Sequence, residues 1–151
     1  MRASRSVVTI DDSLGGNYLI LVNYDYPDVP VDLTVRNTIF SSRGPNAPVF
    51  LSQGTRATLD NNLFYAPASD QVLVHGETEY TADAIPDLGT GNLYTDPLFI
   101  APAAPGTTGD YHLTASSEAI DTGAADDAPS TDLDGKNRPL GDGYDIGTYE
   151  Q

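Results

Sequence analysis

Short bursts of alternating apolar and polar residues run along this chain, and two of them echo each other: LTVRNTIF from Leu33 to Phe40 and ATLDNNLF from Ala57 to Phe64. Asn37 and Asn61 fall in register, 24 residues apart. In each copy Val35 or Leu59 faces one side and Thr34, Arg36, Thr58 and Asp60 the other, with Phe40 and Phe64 returning to the apolar side. Asparagine tolerates the left-handed conformation, so Asn37 and Asn61 are expected at a repeated corner. A second set of strands is expected at LILV (Leu19–Val22), VFLS (Val49–Ser52) and VLVH (Val72–His75). The step from Leu51 to Val74 is 23 residues, and from Leu21 to Leu51 it is 30. The segment YDYPDVP, Tyr24 to Pro30, reads as an insertion at a corner that accounts for the longer step. VVTIDD near the start reads as a weaker, earlier version of the Leu33 strand.

Strand, asparagine corner, strand, glycine-containing turn and strand at a period of about 24 is the pattern of a parallel β-helix. An antiparallel sandwich is the competing arrangement, but it has no reason to repeat the same motif at a fixed offset. The 14 glycines and 11 prolines punctuate β-branched runs throughout, and helix is a minor component.

A chain of 151 residues is expected to form one domain with a real core. Seven basic against 22 acidic residues give a formal charge of −15, which disfavours nucleic acid and anionic lipid as partners. With no cysteine there is neither a disulfide framework nor thiolate chemistry. The first residues, MRASRSVVTIDD, have too short an apolar stretch for a signal peptide, and YLILV (Tyr18–Val22) is far below the roughly 20 residues of a membrane helix. No membrane insertion is expected. Strand-like sequence begins at once, so the chain reads either as a fragment of a longer protein or as one that protects its first edge in another way.

The C-terminal part carries ordered motifs: Asp96–Phe99 (DPLF), Gly109–Leu113 (GDYHL), Ala119–Gly123 (AIDTG), Asp132–Gly135 (DLDG) with Arg138 and Pro139, and Asp145–Glu150 (DIGTYE). Together they resemble the closing segment of bacterial right-handed parallel β-helix proteins of the pectate-lyase-like superfamily, of the choice-of-anchor Q type. The resemblance implies an all-β fold, a short right-handed parallel β-helix over 1–99 with an irregular C-terminal cap over 100–151. The cap would fold back over the last coil, with Asp121, Asp134, Arg138 and Asp145 as partners in turns and buried ion pairs. It also implies an extracellular or cell-surface location and contact with polysaccharide. Such a family shares a scaffold and no single reaction.

Candidate chemistry is sparse. The D-x-D-G of Asp132, Asp134 and Gly135 resembles part of a calcium loop, but Ser130 and Gly141 stand where an EF-hand needs its first and last ligands. An irregular calcium site using Asp132, Asp134 and Asp126 or Asp127 stays open, and no cofactor is required. A lyase needs a cationic base, yet the single lysine, Lys136, lies within the closing motif and Arg36 aligns with Asp60 as a surface ion pair. Hydrolysis needs clustered carboxylates, for which Asp11, Asp12, Asp25, Asp28, Asp32 and Asp60 are only an abundance. His75 and His112 read as structural. With no tryptophan, the candidates for stacking on a sugar ring are Tyr24, Tyr26 and Tyr65. The expected role is a non-catalytic β-helix scaffold or carbohydrate-contact module. The alternatives are a polysaccharide lyase or glycoside hydrolase with a groove on the outer strand face, and an assembly module that pairs, as a homo-oligomer or with upstream coils, through its uncapped first coil.

Overall fold

The computed structural model describes residues 9–12 (backbone only), 19–22, 30–104 and 108–151. Twelve strands are described: β1 (Thr9–Asp12), β2 (Ile20–Val22), β3 (Val31–Arg36), β4 (Ile39–Ser42), β5 (Val49–Leu51), β6 (Thr55–Asp60), β7 (Leu63–Tyr65), β8 (Leu73–His75), β9 (Thr78–Tyr80), β10 (Leu93–Tyr94), β11 (Phe99–Ala101) and β12 (Asp110–Leu113). A 3-10 helix over Ala82–Leu88 separates β9 from β10. No helix among the described residues is long and apolar enough to cross a membrane.

The sequence echo is a pairing. β3 and β6 lie parallel with Leu33 opposite Ala57 and Val35 opposite Leu59, the register that the alternation predicts. Asn37 and Asn61 both adopt φ of 50° and turn the chain into β4 and β7, which also pair in parallel, Phe40 opposite Phe64. The two phenyl rings stack with centroids 4.8 Å apart. The second strand set is offset by one residue from the expectation: Val22 pairs with Leu51 and Leu51 with His75. Continuous apolar runs such as VLV carry no parity, so the sequence there cannot fix which residue faces in. β1 proves to be an earlier counterpart of β4, Ile10 opposite Phe40, and not of β3.

The expected single right-handed parallel β-helix is corrected. The strands fall into four small sheets, ordered β1-β4-β7-β10, β2-β5-β8-β9, β3-β6 and β11-β12, parallel and antiparallel together, and none curls into a solenoid. Direction reverses where a two-residue turn with Gly76 at φ 60° folds β9 back antiparallel on β8, occupying the edge a further parallel strand would need. β11 and β12 form a second antiparallel pair with an irregular register.

Two cores result. The first lies between the parallel sheets and holds Phe40, Val49, Leu51, Leu59, Phe64, Val72, Leu73 and Ile85. The second lies on the opposite face of β4 and β7, where Ile39 and Leu63 pack against Leu113, Ala119 and Ile146. The expected closing cap is therefore corrected as well: the C-terminal segment covers a sheet face. Adjacent apolar residues, Ile39-Phe40 and Leu63-Phe64, make β4 and β7 strands buried on both sides.

Buried asparagine amides link the layers. The Asn62 side chain accepts from the Thr38 amide at 3.1 Å and donates to the Val35 carbonyl at 2.9 Å. Asn92 repeats the arrangement one step on, accepting from the Asn62 amide and donating to the Leu59 carbonyl at 2.6 Å. Asn62→Ala orphans two backbone groups and is expected to cost about 2–4 kcal/mol in urea unfolding, whereas exposed Thr34→Ala changes stability by less than about 0.5 kcal/mol.

Candidate functional site

Parallel pairing brings the carboxyl ends of β4, β7 and β10 to one place. Ser41 stands opposite Tyr65 in the ladder, and the chain beyond β10 passes beside them through Asp96, Pro97, Leu98 and Phe99. A cleft of about 270 Å³ forms there, lined by Ser41, Arg43, Tyr65, Asp96, Leu98 and Phe99 with three prolines, Pro67, Pro97 and Pro102. Asp96 accepts from the Leu98 amide at 2.9 Å, and Leu98 is held at φ 54°, a left-handed conformation costly for a side chain of its size. Burial pushes the Tyr65 phenol up, and its hydrogen bond to Asp96 adds to the shift, with Arg43 opposing. The phenol therefore stays protonated and donates to the carboxylate.

Arg43 differs from the other described cations. Arg36 lies 3.6 Å from both Asp60 and Asp127, Arg56 2.7 Å from Asp32, Lys136 3.9 Å from Asp134 and Arg138 2.6 Å from Glu150. Arg43 has no ion pair among the described residues, and its side chain is exposed at the cleft.

The C-terminal motifs build a second polar cluster. Arg138, fully buried, donates to Glu150 Oε1 at 2.6 Å, to the Asp145 carbonyl at 2.6 Å and to the Gly147 carbonyl at 3.2 Å. Asp145 takes the amides of Asp121 and Gln151 on its two oxygens. Burial nevertheless pushes its carboxyl up, and the neighbouring Glu150 and Asp121 charges push the same way. Asp132 receives the Lys136 amide on one oxygen and the Glu150 amide on the other. Burial would raise its pKa, but those amides, the Asp134 amide and the Lys136 charge outweigh it and hold the carboxyl below the usual range. These bonds occupy the groups that the closing motifs singled out.

Of the expected site residues, Tyr65, Asp132 and Asp134 are described. Tyr65 lines the cleft; Tyr24 and Tyr26 lie outside the described residues. Asp132 is buried against backbone amides, while Asp134 is exposed and meets His112 Nε2 at 2.9 Å. Among the described residues no group of three or more His, Asp or Glu side chains is arranged to hold a metal ion. Sequence reasoning missed Arg43, which follows β4 directly and carries no motif that marks it.

No family model matches the chain, no curated protein is similar to it and no solved structure matches it. The resemblance to pectate-lyase-like, choice-of-anchor Q β-helix proteins is thus corrected, because neither the comparisons nor the sheets support it. With it fall the β-helix scaffold and carbohydrate-contact module, the lyase or hydrolase groove on an outer strand face, and assembly through a first coil. Among the described residues there are neither the repeating curled sheets nor the outer-face groove that those readings need.

Asp132 gives a pH test. A carboxyl held below its unfolded pKa stabilises the fold above that value and loses the contribution as pH falls through the folded one. Asp132→Asn is expected to cost about 1.5–3 kcal/mol at pH 7 in urea unfolding, a deficit that shrinks below about pH 4 as the native carboxyl takes up its proton. An equal deficit at both pH values counts against an ionised Asp132.

Proposed function

We propose that this protein binds a small organic acid in the cleft at the ends of β4, β7 and β10. The observation that carries this reading is Arg43, a guanidinium without an ion-pair partner among the described residues, exposed in a concave site on a chain of charge −15. In such a field an anion needs a local cation to bind, and the fork of arginine donors matches a carboxylate in two parallel hydrogen bonds. The proline, Leu98 and Phe99 walls suit a short apolar body. Asp96 and the Tyr65 phenol favour a ligand that carries a hydroxyl or amino group beside its carboxylate.

Titration with small hydroxy and amino acids, followed by backbone amide shifts, tests it. Saturable shifts at Ser41, Arg43, Tyr65, Leu98 and Phe99 are expected, with affinity falling about tenfold or more in Arg43→Ala. Shifts scattered over the surface, or an Arg43→Ala variant that binds as well as the native chain, contradict the reading.

A further inference from the structure

His112 stands between two carboxylates that belong to different segments. Its Nδ1 meets Asp110 Oδ1 at 2.6 Å within β12, and its Nε2 meets Asp134 Oδ2 at 2.9 Å in the turn between Thr131 and Asn137. Its ring stacks on Tyr149, centroids 3.8 Å apart. Asp110 is also held by the His112 amide at 3.0 Å, and Lys136 approaches Asp134 at 3.9 Å. Asp110, Asp134, Lys136 and Tyr149 are thus the titratable groups that face the imidazole from β12, the turn and the C-terminal segment.

Proton counting decides what this arrangement can do. An imidazolium carries two N–H donors and serves both carboxylates, while a neutral ring carries one and must turn a lone pair toward the other. The Asp110 contact is local and reinforced by a backbone amide, so the Nδ1 proton is the one retained. The contact surrendered is the one to Asp134, the hydrogen bond that joins this ring to the turn. Stacking on Tyr149 favours the charged ring in the same sense.

We propose that His112 is a pH-operated latch, which in its doubly protonated form fastens the tip of the 131–137 turn to β12 and on losing one proton releases it. The release is local, because the base of the turn stays tied by the Asp132 bond to the Glu150 amide and by the Leu133 amide to the Thr148 carbonyl. What it loosens is a tip whose Gly135 and Lys136 amides are then held by Asp132 without the help of His112, beside Leu133, which is 71% exposed. The hydrogen bonds to Asp134 and then Asp110 hold the imidazole pKa above its ordinary value. A group raised in this way contributes fully below its unfolded pKa, near 6.5, and the contribution is lost as pH rises through the folded one.

Ring-proton NMR of His112 and hydrogen exchange of the Asp134, Gly135 and Lys136 amides across pH 5–9, corrected for intrinsic exchange, test the latch. The His112 midpoint is expected above about 6.5, and protection of those amides should fall by roughly threefold to tenfold through the same midpoint. In Asp134→Asn the midpoint drops and the exchange loses its pH dependence; in His112→Gln that dependence is absent. A midpoint at or below the free value, protection that ignores the titration, or an unchanged profile in Asp134→Asn overturns the proposal. If His112→Gln fails to fold, the surface variant Asp134→Asn decides alone.

Discussion

Two asparagines in the left-handed conformation govern the rest of this structure. At φ of 50°, Asn37 and Asn61 turn the chain sharply between paired strands, a conformation that residues other than glycine, asparagine and aspartate rarely adopt. The same side chains then reach outward to the C-terminal segment. Asn37 exchanges two hydrogen bonds with Ala124, donating to its carbonyl at 2.8 Å and accepting from its amide at 2.7 Å, and Asn61 donates to the Thr122 carbonyl at 2.9 Å. Gly91 sits close enough to the Asn61 amide that a Cβ would crowd it. A corner that glycine could make equally well thus needs asparagine, because it must also grip the covering segment.

That grip explains how a strongly acidic chain closes its second core. Residues 113–151 bring Leu113, Ala119 and Ile146 onto Ile39 and Leu63, and the carboxylates they carry inward are met chiefly by backbone amides, with Arg138 as the single fully buried cation among the described residues. A buried guanidinium left without Glu150 would cost several kcal/mol, so the pair makes the C-terminal fold an all-or-none arrangement more than a stronger one. His112 stands outside this buried network, on a half-exposed flank, which is why its protonation acts on one turn and not on the whole segment.

Much of the local order was legible. The offset of 24 residues, the facing of Val35 and Leu59, the asparagine corners and the Arg36–Asp60 ion pair follow from alternation and from the conformational habits of asparagine. The global arrangement was not, for two physical reasons. Gly76 reverses the chain at a point where the sequence shows only one more strand-turn-strand, and direction of pairing leaves little trace in composition. The doublets Ile39-Phe40 and Leu63-Phe64 do encode burial on both faces, but read as alternation they give one face only. The asparagines that carry the buried ladder are Asn62 and Asn92, the second placed 30 residues on because the 3-10 helix intervenes. The cleft was less legible still: Tyr65 was named from its chemistry, whereas Arg43 is recognised only once every other described cation is seen to have a partner.

The central claim is that the paired strands and the C-terminal segment form one cooperative body through the asparagine corners. Native-state hydrogen exchange measures this directly. The amides of Leu63 and Leu93, which donate to the Thr38 and Asn62 carbonyls, and those of Ile146 and Gly147, which donate to the Ala119 and Asn37 carbonyls, are predicted to open with one common free energy. Exchange of Ile146 and Gly147 at a free energy well below that of Leu63 and Leu93 would show a segment that peels away by itself, and would contradict the account.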